Sequence, residues 1–205
     1  GGLPRGHLSE IVGPRSSGRT SLLLHILAAA TARGELVALV DALDRLDVAS
    51  AAAAGIDLTR LLWIRGHVAA HPGCCRDLNQ RAMEQAVKAL GLVLQAGNVG
   101  LVVLDVGDAP TEAVRGLPFT TWLRVQRMVE GSQTVCVLSG NAPMSRSAAG
   151  LSIALQPAAA GAGAPARFDG RLFGGLDAQA RVARARVHAA DGASLPMATR
   201  VVSHA

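Results

Sequence analysis

The chain has 205 residues, half of them hydrophobic and 17% charged, with twenty Lys and Arg against fifteen Asp and Glu for a net charge of +5. That length and apolar fraction fit a single folded domain over residues 1–205 and exclude a disordered chain. Three cysteines cannot build a disulfide framework and point to a reducing cytoplasm. The longest apolar run, residues 22–32 with His25 inside it, is too short to span a membrane. The opening at Gly1 carries no signal peptide and reads as the start of a fragment.

In chain order, residues 7–12 predict a short strand that runs into a glycine-rich turn. Residues 21–33 are apolar nearly all round and stop at Gly34, as expected of a deeply packed helix with a glycine C-cap. Residues 36–40 predict a buried strand, 48–54 a short helix ended by Gly55, and 61–64 a third strand. Residues 77–95 put Leu78, Ala82, Ala86, Leu90 and Val93 on one helical face and Asp77, Arg81, Glu84, Lys88 and Gln95 on the other. A fourth strand over 101–104 ends at Asp105, a helix covers 119–130, and a fifth strand covers 134–139.

Strands alternating with helices require right-handed crossovers. The expected fold class is therefore α/β, with a mostly parallel central sheet and helices on both faces over residues 1–141. The rhythm then changes. Residues 151–155 predict a strand, and the Ala/Gly/Pro-rich stretch 156–166 reads as a flexible loop. Residues 167–173, 178–188 and 198–203 read as hairpin strands, so 151–205 forms a C-terminal β-rich extension.

Gly13-Pro14-Arg15-Ser16-Ser17-Gly18-Arg19-Thr20 follows a strand and opens a helix. It fits the phosphate-loop pattern of P-loop NTPases, with Arg19 at the lysine position. In such a loop the glycines let backbone N–H groups curl around phosphate at a helix N-terminus, and the Thr20 hydroxyl sits on magnesium. A guanidinium fork does not occupy the compact site of an ammonium. Asp105, at the end of four apolar residues, supplies the acidic half expected of a magnesium site. The candidate site is thus Gly13, Ser16, Ser17, Gly18, Arg19, Thr20 and Asp105, and ATP with magnesium is the cofactor it would take, if any.

Gly1-Gly2-Leu3-Pro4-Arg5-Gly6, Glu10-Ile11-Val12-Gly13-Pro14 and Ser16-Ser17-Gly18-Arg19-Thr20 together resemble the opening of the RecA recombinase core. The resemblance continues through Val40-Asp41-Ala42, Leu46-Asp47, Ala54-Gly55-Ile56-Asp57 and Leu61-Leu62. It returns at Asp105 and is traceable through residues 134–141 and 180–187. It implies a RecA-like core.

The departures from that pattern bear on activity. The resemblance implies a catalytic glutamate two residues beyond Asp41, where this chain has Leu43, with Asp44 one residue late and one methylene short. The implied adenine-stacking tyrosine falls at Ser50, and the implied phosphate-sensing glutamine at Asn141. Only residues 142–149 stand where a DNA-binding loop is implied. Arg184 and Arg186 fall near basic positions implied to reach a neighbouring subunit's nucleotide, and are themselves candidates for DNA or partner contact. Loss of a general base alone costs roughly 10²–10⁴ in rate, so no catalytic residue is assigned.

RecA-like chains with eroded nucleotide sites resemble the ImuA group. That likeness implies an accessory role in bacterial damage-induced (SOS) translesion mutagenesis, in the cytoplasm at the nucleoid. The implied partners are an ImuB-type Y-family-like protein, a DnaE-type polymerase and RecA, with single-stranded DNA a further candidate. Three readings of the loop stay open. It is a turn retained for the fold, a site that binds nucleotide without turnover, or a weak DNA-dependent ATPase using Arg19 and Asp44.

Other candidates favour plain readings. His67, His71, Cys74 and Cys75 are spaced like no standard zinc site, so no metal is expected there. His25 reads as a core histidine, and Cys136, among apolar neighbours, as an inert core thiol. Arg184 and Arg186 share a strand face, where charge protects an edge or meets an acidic partner. The arginine excess, with Lys88 the only lysine, fits a GC-rich coding sequence as well as a polyanion partner.

Overall fold

A computed structural model describes residues 2–66, 76–145, 150–157, 175–185 and 192–200. Eight strands, five α-helices and one 3₁₀ turn follow one another among them. Strand β1 (Leu8–Val12) leads to helix α1 (Arg19–Ala32), strand β2 (Val37–Asp41) and helix α2 (Val48–Ala53). A single 3₁₀ turn, Leu58–Arg60, then opens strand β3 (Leu61–Arg65). Helix α3 (Arg76–Ala96) and strand β4 (Leu101–Asp105) precede helices α4 (Thr111–Arg115) and α5 (Phe119–Val129) and strand β5 (Val135–Gly140). Strands β6 (Leu151–Pro157), β7 (Gly175–Ala185) and β8 (Ser194–Arg200) complete the described chain.

The strands form one eight-stranded sheet in the order β3-β2-β4-β5-β1-β6-β7-β8. The first six are parallel, and β7 and β8 add antiparallel. Alternation of side chains along each strand feeds two cores. Leu8, Val102, Leu104, Cys136 and Leu138 pack beneath α3, α4 and α5, while Ile11, Leu39, Val103, Val137 and Leu155 pack beneath α1 and α2. Both faces are covered, and the inner strands are accordingly apolar until their carboxyl ends, where β2 and β4 finish in Asp41 and Asp105 and β5 in Ser139 and Gly140. This is the α/β architecture expected of a RecA-like core.

Several expectations are corrected. His25 is exposed, its Nδ1 2.7 Å from the Ser21 carbonyl oxygen, because past its first turn α1 buries Leu23, Leu24, Leu27, Ala30 and Thr31 and leaves position 25 on the outer face. Leu78 is 56% exposed even though Ala82, Ala86, Leu90 and Val93 on its helical face are buried. It is the third residue of α3, in the helix's first turn. Gln156 and Pro157 belong to β6 rather than to a loop, being paired with Gln179 and Ala178. Helix α4 is too short for its apolar periodicity to register in the sequence. Cys136 is fully buried as expected, and burial pushes its thiol up to about 12. His67, His71, Cys74, Cys75, Arg186 and residues 167–173 lie outside the described residues, as do 158–166 of the expected loop.

Among the described residues no helix is long and apolar enough to cross a membrane.

Candidate functional site

Strand order decides what meets at the carboxyl edge of the sheet. β5 lies between β4 and β1, so the segment after β5 stands between the loop that follows β1 and the carboxylate that ends β4. Clefts at such edges are where open parallel sheets bind ligands.

Residues 13–20 form the turn from β1 into α1. Gly18, the N-cap of α1, has φ 84°, a left-handed conformation that a glycine adopts without steric cost. No side chain caps the helix there, which leaves its first backbone N–H groups to a ligand. Ser16 also takes a left-handed φ of 58°. Gly13 is packed so closely that a Cβ on it would lie 2.5 Å from the Ser17 Oγ and 2.7 Å from the Leu155 carbonyl oxygen. The buried Ser17 hydroxyl has no hydrogen-bond partner among the described residues. Thr20 is exposed and lines both the concavity of the loop and the adjoining cleft. Free N–H groups, an orphaned hydroxyl and an open concavity fit a phosphate group. Residues 16–20 would hold it, with Thr20 and Asp105 placed for its magnesium ion.

Arg19 does something different. Its side chain is buried and folds under the loop, where Nη1 donates to the Gly13 carbonyl at 2.5 Å and to Asn141 Oδ1 at 2.7 Å. Nη2 donates to Asp108 Oδ1 at 3.3 Å. The other carboxylate oxygen of Asp108 accepts from Arg15 Nε at 2.7 Å. Burial alone would raise the Asp108 carboxyl, but the two arginines outweigh it and hold it below its ordinary value. Sequence reasoning missed Asp108, since nothing local distinguishes it from any loop aspartate.

Asp105 accepts the Gly107 backbone N–H at 2.9 Å. Burial pushes its carboxyl up, against the pull of that N–H and of Arg19. Across the cleft, Asp41 accepts the Leu46 N–H at 2.8 Å and Trp63 Nε1 at 3.2 Å, so its role is to shape the loop after β2. Leu43 is 5% exposed and packed in the core, while Asp44 is held by both nitrogens of a fork on Arg65, each at 2.8 Å. Ser50 borders the cleft, its N–H bonded to Asp47, which caps α2.

The arginines of β7 are arranged by a bulge. Ser152 pairs with Arg184, Ile153 with Val182 and Ala154 with Arg181, which places Arg181 and Arg184 on one face of the ribbon. Both are exposed. Ser152 also pairs with Glu10, so Arg184 lies on the Glu10 side of the sheet and helps to lower a carboxyl that burial raises. Glu10 is 2% exposed and accepts the backbone N–H groups of Met144 and Ser145 at 3.0 and 2.7 Å, anchoring the segment after β5.

Residues 1–116, which include β1 to β4 and the loop, match the family model for the RecA N-terminal domain. The chain belongs to the RecA family. It is 37% identical over 105 residues to Protein RecA of Symbiobacterium thermophilum, and 37% identical over 106 residues to that of Chlorobium chlorochromatii. To Protein RecA of Nitratidesulfovibrio vulgaris strain DP4 it is 38% identical over 105 residues. Each alignment takes in 51% of this chain and 26% of the relative, so the shared stretch spans about a quarter of the length of these RecA proteins. The RecA-family match ends just after α4, so α5, β5, with Asn141 beyond its end, and the three strands β6 to β8 lie outside it.

Proposed function

We propose that this RecA-family chain is an accessory adaptor of bacterial damage-induced (SOS) translesion mutagenesis, working through protein contacts, with a phosphate site that does not hydrolyse nucleotide. The observation that carries the non-catalytic part is the pair Leu43 and Asp44. The position implied for the water-activating glutamate is a core leucine, and the neighbouring carboxylate is committed to Arg65. A carboxylate held as a forked acceptor by a guanidinium is a poor proton acceptor. The role in mutagenesis rests on the likeness to the ImuA group. The partners it brings are an ImuB-type protein, a DnaE-type polymerase and RecA itself, with the cytoplasmic nucleoid as the place of work.

The deciding experiment is ATP turnover by the full-length protein, with and without single-stranded DNA, alongside co-purification with an ImuB-type protein. The expected result is turnover equal to that of Asp105→Ala together with a stable complex. DNA-stimulated turnover that vanishes in Asp105→Ala would overturn the reading and favour a weak DNA-dependent ATPase.

A further inference from the structure

The loop concavity and the cleft beside it share one acidic side chain that the family resemblance does not assign, Asp108. Its carboxylate is 28% exposed and bridges two arginines of the phosphate loop, Arg15 at 2.7 Å and Arg19 at 3.3 Å. Arg15 is otherwise free to reach outward, with a side chain 76% exposed. Asp41, Asp47 and Asp105 also border the cleft, so Asp108 adds a further negative charge where a phosphate group would arrive.

We propose that Asp108 is a built-in competitor of phosphate: it occupies the loop's two guanidinium groups in the free protein, and a phosphate-chain anion enters only by displacing it from Arg15. This rests on reading the loop as a phosphate cradle and adds a residue that sets its affinity. A carboxylate and a phosphate share the same geometry toward a guanidinium fork, which makes the exchange chemically even. Arg19 is held in addition by Gly13 and Asn141 and stays in place, whereas Arg15 is held by Asp108 alone among the described residues and can turn to the anion.

The test is the affinity of Mg-ADP and of inorganic pyrophosphate for the full chain and its Asp108→Asn variant, by titration calorimetry at low salt. Removing a like charge from the ligand's path should tighten binding by about tenfold or more. In the unaltered protein, the Arg15 Nε–H resonance should move in step with pyrophosphate saturation, a readout that needs no variant to fold. Equal or weaker binding by Asp108→Asn, an Arg15 signal that ignores the anion, or no binding by either protein overturns the proposal. Turnover of ATP would sink the adaptor reading while leaving this affinity ratio to stand or fall by itself.

Discussion

The carboxylate of Asp44 meets Arg65 Nε and Nη2 at 2.8 Å each, a two-pronged pair that ties the turn after β2 to the end of β3. Arg65 in turn lies over the Trp63 ring, 4.6 Å from its centroid, and the Trp63 indole donates to Asp41. These four residues clamp the region where the resemblance implies a catalytic glutamate. Asp44 adopts a left-handed φ of 56°, which an aspartate tolerates better than most residues. The Arg65 hydrogen bonds hold its carboxyl below the ordinary 3.8.

Asp44→Asn should therefore leave ATP turnover where the unaltered protein has it, measured with single-stranded DNA present. Its effect should instead appear in acid. A depressed carboxyl contributes stability above its ordinary value and loses it as pH falls through the lowered one. The variant should consequently show a shallower loss of stability below pH 4. A drop in turnover would mark Asp44 as a working base.

Arg19 carries three buried or half-buried acceptors, so Arg19→Ala strips donors from Gly13, Asn141 and Asp108 together. A cost of about 2–4 kcal/mol in urea unfolding is expected, the usual scale for breaking a buried charged network. Arg19→Lys should cost less, since one ammonium still neutralises Asp108, and it should tighten Mg-ADP binding because the compact charge suits the loop. A stability unchanged in Arg19→Ala would mean that the network is incidental.

Asp105→Asn should stabilise the ligand-free protein at neutral pH by on the order of 1 kcal/mol, the lower end of the cost of burying a charge without full compensation. Burial raises the Asp105 carboxyl above 3.8, so the folded chain holds this proton more tightly than the unfolded chain. Its stabilising share is complete below 3.8 and is lost as pH rises through the raised value. The advantage of the asparagine variant should accordingly grow from pH 4 to neutrality in urea titrations. An Asp105→Asn protein no more stable than its parent at pH 7 would refute this.

Much of the fold was legible because helix and strand periodicity is written in neighbouring residues. The run 101–105 is apolar up to its aspartate, and β4 ends there; Gly34 and Gly55 close α1 and α2 with φ of 81° and 87°. The phosphate loop was legible for the same reason, as eight consecutive residues with one backbone geometry. Local pattern misjudged His25 and Leu78, because periodicity says which residues share a face but not how far the partner surface extends. Nor does local pattern reveal the one-residue bulge opposite Ser152 and Ile153 that brings Arg181 onto the face of Arg184.

The sequence by itself determined the alternating α/β order, the loop after β1 and the absence of a glutamate two residues beyond Asp41. The tertiary structure alone decided what occupies the loop's cations. Asp108 lies 93 residues from Arg15 and 89 from Arg19, and Asn141 lies 122 from Arg19. No local signal links them, because their meeting depends on β5 being inserted between β4 and β1. Strand order is set by burial over the whole sheet, and that order brings the carboxylate to the guanidinium groups.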